Sequence, residues 1–167
     1  MMTLLDAPRF DEAKDRRKRI IIISSIATFT ALVIALWIVS GFPIDWPWHW
    51  VAHMRGRGTV NRFLGDVEKN DMAAAYGVWI HNPDWQKKNA QDAGYPFTRF
   101  QEDWSPTSSQ NEYGAIKSHD IGAARYAWNV LVVGVFINHH RSNPLFLAYD
   151  PKTSTLTFSP VELYLGP

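Results

Sequence analysis

Cysteine is absent from the 167 residues, which excludes disulfides, thiolate zinc or iron–sulfur sites and thiol nucleophiles, and leaves the compartment open. Neither sign of charge dominates. The 17 Lys and Arg stand against 16 Asp and Glu, a formal net charge of +1, so the field that nucleic acid needs is missing and no nucleic-acid partner is expected. The GRG at Gly56 and Gly58 is no phosphate loop, because the Lys-Ser/Thr ending and a preceding buried strand are both missing. His49 and His53 stand four apart and would share a helix face, a spacing able to hold a metal or pigment, yet no third ligand accompanies them. Neither metal nor cofactor is expected. Room for a second soluble domain is lacking too, since about 110 residues remain beyond the longest apolar stretch, enough for one modest core.

That stretch is the strongest signal present. From Ile20 to Val39 the chain reads IIIISSIATFTALVIALWIV, about twenty residues without a charge, long enough as a helix to span a ~30 Å hydrocarbon core. A cleaved signal peptide has a shorter apolar region, roughly 7 to 15 residues, ending at small residues, so residues 20–41 are expected to be a retained transmembrane helix. Arg16, Arg17, Lys18 and Arg19 abut its start, whereas the next Lys or Arg beyond its end is Arg55. By the positive-inside bias, residues 1–19 stay in the cytoplasm and the rest of the chain lies outside it, in the periplasm of a Gram-negative cell. In the flank, Glu12 with Arg16 and Asp15 with Arg19 form two i, i+4 pairs of favourable sign, extending the helix inward. Past the apolar run, Trp46, Trp48 and Trp50 alternate with Pro43 and Pro47, which predicts an aromatic membrane-interface belt on a kinked, non-helical tether over 42–58.

The remaining residues, 59–167, predict an α+β domain. Val60, Phe63, Leu64 and Val67 make an apolar stripe at helical spacing. Asn70 and Asp71 cap a second helix carrying Met72, Tyr76, Trp79 and Ile80, stopped by Asn82 and Pro83. Pro96 opens a third helix with Phe97, Phe100 and Trp104, ended by Pro106. NPDWQKKNAQDAG, between the second and third, reads as a polar, exposed turn. Strands follow over Ala115–Ile121, Arg125–Asn138, Leu145–Tyr149 and Thr155–Phe158, with a fifth over Val161–Leu165, joined by short turns such as HHRSNP into an antiparallel meander. His139 and His140 read as turn residues. Around WNVLVVGVFIN both alternating sets are apolar, Trp128, Val130, Val132 and Phe136 against Leu131, Val133, Val135 and Ile137. Both faces therefore need cover; the helices supply one, and a second copy, a partner subunit, neighbouring loops or the C-terminal tail supplies the other.

VNRFLGDVEKNDMAAAYGVW resembles the opening of nuclear transport factor 2-like (cystatin-like α+β) domains, with two helices broken near Gly-Asp or Asn-Asp and Ala-Ala-Tyr in the second. The resemblance implies about three helices packed on a curved antiparallel sheet of four to five strands. It implies either an enzyme or ligand binder working inside the cone, like the ketosteroid isomerase group, or a non-catalytic assembly domain. The layout of membrane helix and domain is also similar to that of a membrane-anchored assembly component of bacterial type IV secretion systems. Candidate pocket residues under the catalytic reading are Tyr76, Asp103, Tyr113 and His119. The expected function is a membrane-anchored, non-catalytic interaction module, an accessory subunit whose partners are the bilayer and either other membrane-complex subunits or a second copy docked on the sheet.

Overall fold

The computed structural model describes residues 11–165 and falls into two compact units, one ending at Val39 and the other beginning at Ser40. In the first, helix α1 spans Glu12–Val39, 28 residues. It starts ahead of the apolar run, with Glu12 and Asp15 in its first turn, where the helix dipole favours acids. Of the two flank pairs, Asp15 and Arg19 meet at 3.3 Å. Ser24 returns its hydroxyl to the Ile21 carbonyl at 3.0 Å, the local bond that makes a serine tolerable in hydrocarbon. No residue of α1 is buried. Length and composition suffice to cross a membrane, as they do in a signal sequence.

In the second unit, residues 42–58 are not the non-helical tether that their prolines and glycines predict. Pro47–His49 form a 3₁₀ turn and α2, Trp50–Glu68, follows at once. Its buried stripe is His53, Gly56, Val60, Phe63, Leu64 and Val67, so it begins about two turns before the purely apolar part. Gly56 is there for close approach. A Cβ at that position would lie 2.6 Å from Leu131 Cδ2 and 2.9 Å from Tyr149 Cδ1, so α2 sits nearer the sheet than any larger residue permits. Ahead of α2, Ser40 and Pro43 are buried, and Gly41, at φ +85°, passes beneath the Arg57 guanidinium where a side chain would collide.

α2 ends with Asn70 in the left-handed region at φ 57°, and the Asp71 N–H donates to the Asp66 carbonyl at 2.9 Å, closing the helix end. Asp71 then caps α3, Met72–Trp79, accepting from the Ala74 N–H at 3.0 Å. The stretch between α3 and α4 holds a surprise for a polar segment: Trp85 is buried, its indole N–H donating to the Ala73 carbonyl at 3.0 Å. α4, Phe97–Trp104, starts after Pro96 and buries Phe100 and Trp104.

Four strands complete the unit, β1 His119–Ala127, β2 Val130–Ile137, β3 His140–Tyr149 and β4 Leu156–Phe158, each antiparallel to its sequence neighbour in the order β1-β2-β3-β4. The strand expected over Arg125–Asn138 is thus two strands. A reversal at Trp128 and Asn129 divides it, with Trp128 at φ 54°. Val161–Leu165 is not a strand; the Ser159 hydroxyl donates to the Val161 carbonyl at 2.7 Å, turning the chain after β4. The tail then reaches the outer face of the sheet, where a Cβ on Gly134 would stand 2.7 Å from Leu165 Cδ2. Val132 and Ala148, cross-strand partners on that face, are buried. α2 lies on the other face against β1, β2 and β3, α3 packs on α2 and reaches β4, and α4 packs on α3. Leu131, Val133, Val135 and Ile137 point into the resulting core.

Candidate functional site

The space a cone-shaped enzyme would keep open is filled by rings. Phe100 is fully buried, with Tyr76 at 5.2 Å, Trp79 at 6.0 Å, Phe63 at 6.1 Å and Trp104 at 6.2 Å between centroids. Tyr76 belongs to this packing. Its hydroxyl donates to the Tyr95 carbonyl at 2.9 Å and accepts the Asp92 N–H at 3.0 Å, and burial pushes the phenol up from its ordinary pKa. Such a group ties a loop to the core.

The other three pocket candidates do not converge with it. His119, at the start of β1, is clamped to α2: Nδ1 lies 2.6 Å from Glu68 Oε1 and Nε2 2.9 Å from Asn61 Oδ1. Asp103 and Tyr113 do share a place, an open cleft of about 540 Å³ between α4 and β3 that Arg99, Trp104, Glu112, Phe158 and Glu162 also line. There Asp103 Oδ2 accepts the Tyr95 hydroxyl at 2.7 Å and Oδ1 lies 3.3 Å from Arg99. Burial first, then the Asp103 carboxylate, pushes the Tyr95 phenol far up, so it stays a donor. Tyr113 is raised by burial and by Glu112. With both oxygens of Asp103 engaged, Asp103 is not free to act as a base there. The cleft offers carboxylates over an aromatic floor in which Trp104 stacks on Phe158 at 5.7 Å and 3°. The Trp104 indole N–H is buried without an acceptor among the described residues.

A Ser–His–carboxylate line stands elsewhere, and no spacing in the sequence reveals it. Since a carboxylate only accepts, His139 Nδ1–H donates to Asp120 Oδ2 at 2.8 Å, leaving Nε2 to receive the Ser118 hydroxyl at 3.4 Å. The tautomer suits a nucleophile; the surroundings do not. His139 and Asp120 are exposed, and the amides of Lys117 and Ser118 are taken by Asn138 Oδ1 at 2.8 and 3.3 Å, so these two N–H groups are not available to stabilise an oxyanion. The trio clasps the β2–β3 hairpin.

The remaining sequence-marked residues lie in two groups. Arg16, Arg17, Lys18 and Arg19 are solvent-exposed on the early turns of α1. Trp46 and Trp48 stack at 5.0 Å and 4°, and are 66% and 68% exposed. Trp50 differs from them, half-buried with its indole N–H on the Asp45 carbonyl at 3.0 Å. His49 and His53 do not pair as ligands: His49 lies 4.2 Å from the Tyr126 ring, while buried His53 donates from Nε2 to Asp45 Oδ2 at 2.6 Å. Among the described residues no three His, Asp or Glu side chains are grouped to hold a metal.

His53 should make the domain acid-sensitive. Burial lowers its pKa below the ordinary 6.5, outweighing the opposing hydrogen bond and charge of Asp45. The unfolded chain therefore binds a proton that the folded chain refuses, so stability is full above about pH 6.5 and falls as pH drops through the lowered value. Thermal unfolding followed from about pH 7.5 down to about 5.5 should show a larger decline in Tm for the wild type than for His53→Asn. Equal declines would refute the assignment to His53.

The chain matches no known protein family, no curated protein and no solved structure.

Proposed function

We propose that this protein is a membrane-anchored, non-catalytic interaction module, an accessory or assembly subunit of a larger membrane complex. One observation carries the reading: an uncovered helix of 28 residues, apolar from Ile20 to Val39, is joined to a domain whose interior is filled with aromatic side chains. The helix has the chemistry of an anchor, and the domain has a surface to offer in place of a substrate cavity. The cationic run Arg16–Arg19 supports a cytoplasmic N-terminus and a domain on the far side of the bilayer. Helices followed by an antiparallel meander support a kinship with nuclear transport factor 2-like domains used for assembly.

The cleft beside α4 is the surface best suited to a partner. Glu112 and Glu162 beside the exposed Phe158 fit a cationic segment, whose charge meets the carboxylates while its aliphatic stem covers that ring. A second copy on the sheet is less favoured, because Leu165 already seats on Gly134 there. Purification from native membranes in mild detergent should bring other membrane-complex subunits along in fixed ratio, and reversing the charge of Glu112 and Glu162 to Lys should release them. A wild-type protein that elutes as a lone monomer at native expression would refute the proposal.

A further inference from the structure

Trp128 is misplaced for folding. It occupies the reversal between β1 and β2 at φ 54°, a conformation that suits Gly or Asn and is unfavourable for a bulky side chain. It is 81% exposed, the most exposed tryptophan described. The fold gains no packing in return for the strain.

Its place in the domain supplies a reason. Tyr126, two residues earlier, touches His49 at 4.2 Å, and residues 41–45 lie along Gly122–Arg125 around a small cleft of about 250 Å³. α2 runs antiparallel to β1, its start beside Tyr126 and its far end beside His119 through Glu68. The Trp128 turn therefore stands at the end of the domain where the chain arrives, with the exposed, stacked Trp46 and Trp48, and the other hairpin at His139 stands at the opposite end. Val39, the last residue of α1, precedes Trp46 by seven residues, at most about 25 Å of extended chain.

We infer that Trp128 forms with Trp46 and Trp48 a three-tryptophan surface that dips into the bilayer interface and holds the domain against it. Lipid is the occupant that fits: an indole has an apolar body with one N–H donor and partitions to the headgroup boundary, and the nearby chain is tied to that boundary by α1. The inference rests on α1 being a retained anchor. It adds a contact made by residues some ninety positions later in the chain, which anchoring alone does not require.

Because cysteine is absent, single-cysteine labelling of the full chain is clean. A nitroxide on Asn129→Cys, which keeps Trp128, and one on Ser142→Cys as a far-end control would be compared in nanodiscs of phosphatidylethanolamine and phosphatidylglycerol. The 129 label should collide preferentially with oxygen and the 142 label with a water-soluble nickel complex. Adding Trp128→Gly should raise the nickel accessibility at 129 several-fold while raising Tm, since glycine relaxes the positive φ; loss of lipid contact then cannot be loss of fold. Nickel accessibility at 129 equal to that at 142 would overturn the inference with the anchor intact. A label shielded from both reagents would overturn it in favour of a protein cover. Release of the chain by alkaline carbonate would sink the anchor reading, and this one with it.

Discussion

Phe100→Ala is expected to lower the stability of the domain by about 3–5 kcal/mol, the range for emptying a buried aromatic site. Whole domains are stable by only about 5–15 kcal/mol, so the variant will be close to unfolding at physiological temperature. The reason is where Phe100 sits. It is fully buried, and Phe63 of α2, Tyr76 and Trp79 of α3, Tyr95 of the intervening loop and Trp104 of its own helix all contact its ring. These large, rigid partners are themselves locked together and cannot collapse into the space left behind, which puts the cost at the upper end. Phe100→Leu retains much of the volume and should cost under about 1.5 kcal/mol. Urea unfolding of the full chain in detergent, followed by near-ultraviolet circular dichroism, reads both. A loss below about 1 kcal/mol for the alanine variant would mean that the core is not packed as described.

Two arginines in the middle of α1, Phe29→Arg with Leu32→Arg, should move the protein from the alkaline-carbonate pellet to the supernatant. Each arginine near a helix centre opposes insertion by about 2.5–3.5 kcal/mol, and each also removes a residue that favoured it. The combined change is about 6 kcal/mol or more, comparable to the whole preference of the remaining apolar residues for the bilayer. Because α1 and the domain are two separate compact units, the displaced protein should keep the near-ultraviolet spectrum of the wild type. A double variant that still pellets would show that something other than α1 holds the chain to the membrane.

Sequence periodicity located α2, α3 and α4 where burial alone decides, since Val60, Phe63, Leu64, Met72, Tyr76, Trp79, Phe100 and Trp104 all fall in the core at the expected spacing. It failed where a residue serves a purpose that its type disguises. Gly56 looked like slack and is a point of close packing, so the start of α2 was hidden inside an apparent tether. Trp128 reads as strand because tryptophan favours strands, and with no Gly or Pro the lone Asn129 is a weak mark of the reversal. Trp85 hides in a polar run because a single anchor carries no period. The four pocket candidates have suitable chemistry and lie near predicted elements. Only Asp103 and Tyr113 share a cleft, because whether two side chains converge depends on helix packing angles that one-dimensional spacing does not encode.

The order β1-β2-β3-β4, in which each strand pairs only with the one before and after it, bears on how the domain can be made. A polypeptide threaded through a bilayer as an extended chain emerges N-terminal end first. α2 is available at the outset as a floor, and each new strand finds its hydrogen-bonding edge already in place. No strand must wait for a distant one to arrive, so loop-closure entropy is spent in small steps and unpaired edges are short-lived. Such a topology would suit assembly on the far side of a membrane, the location proposed for this domain.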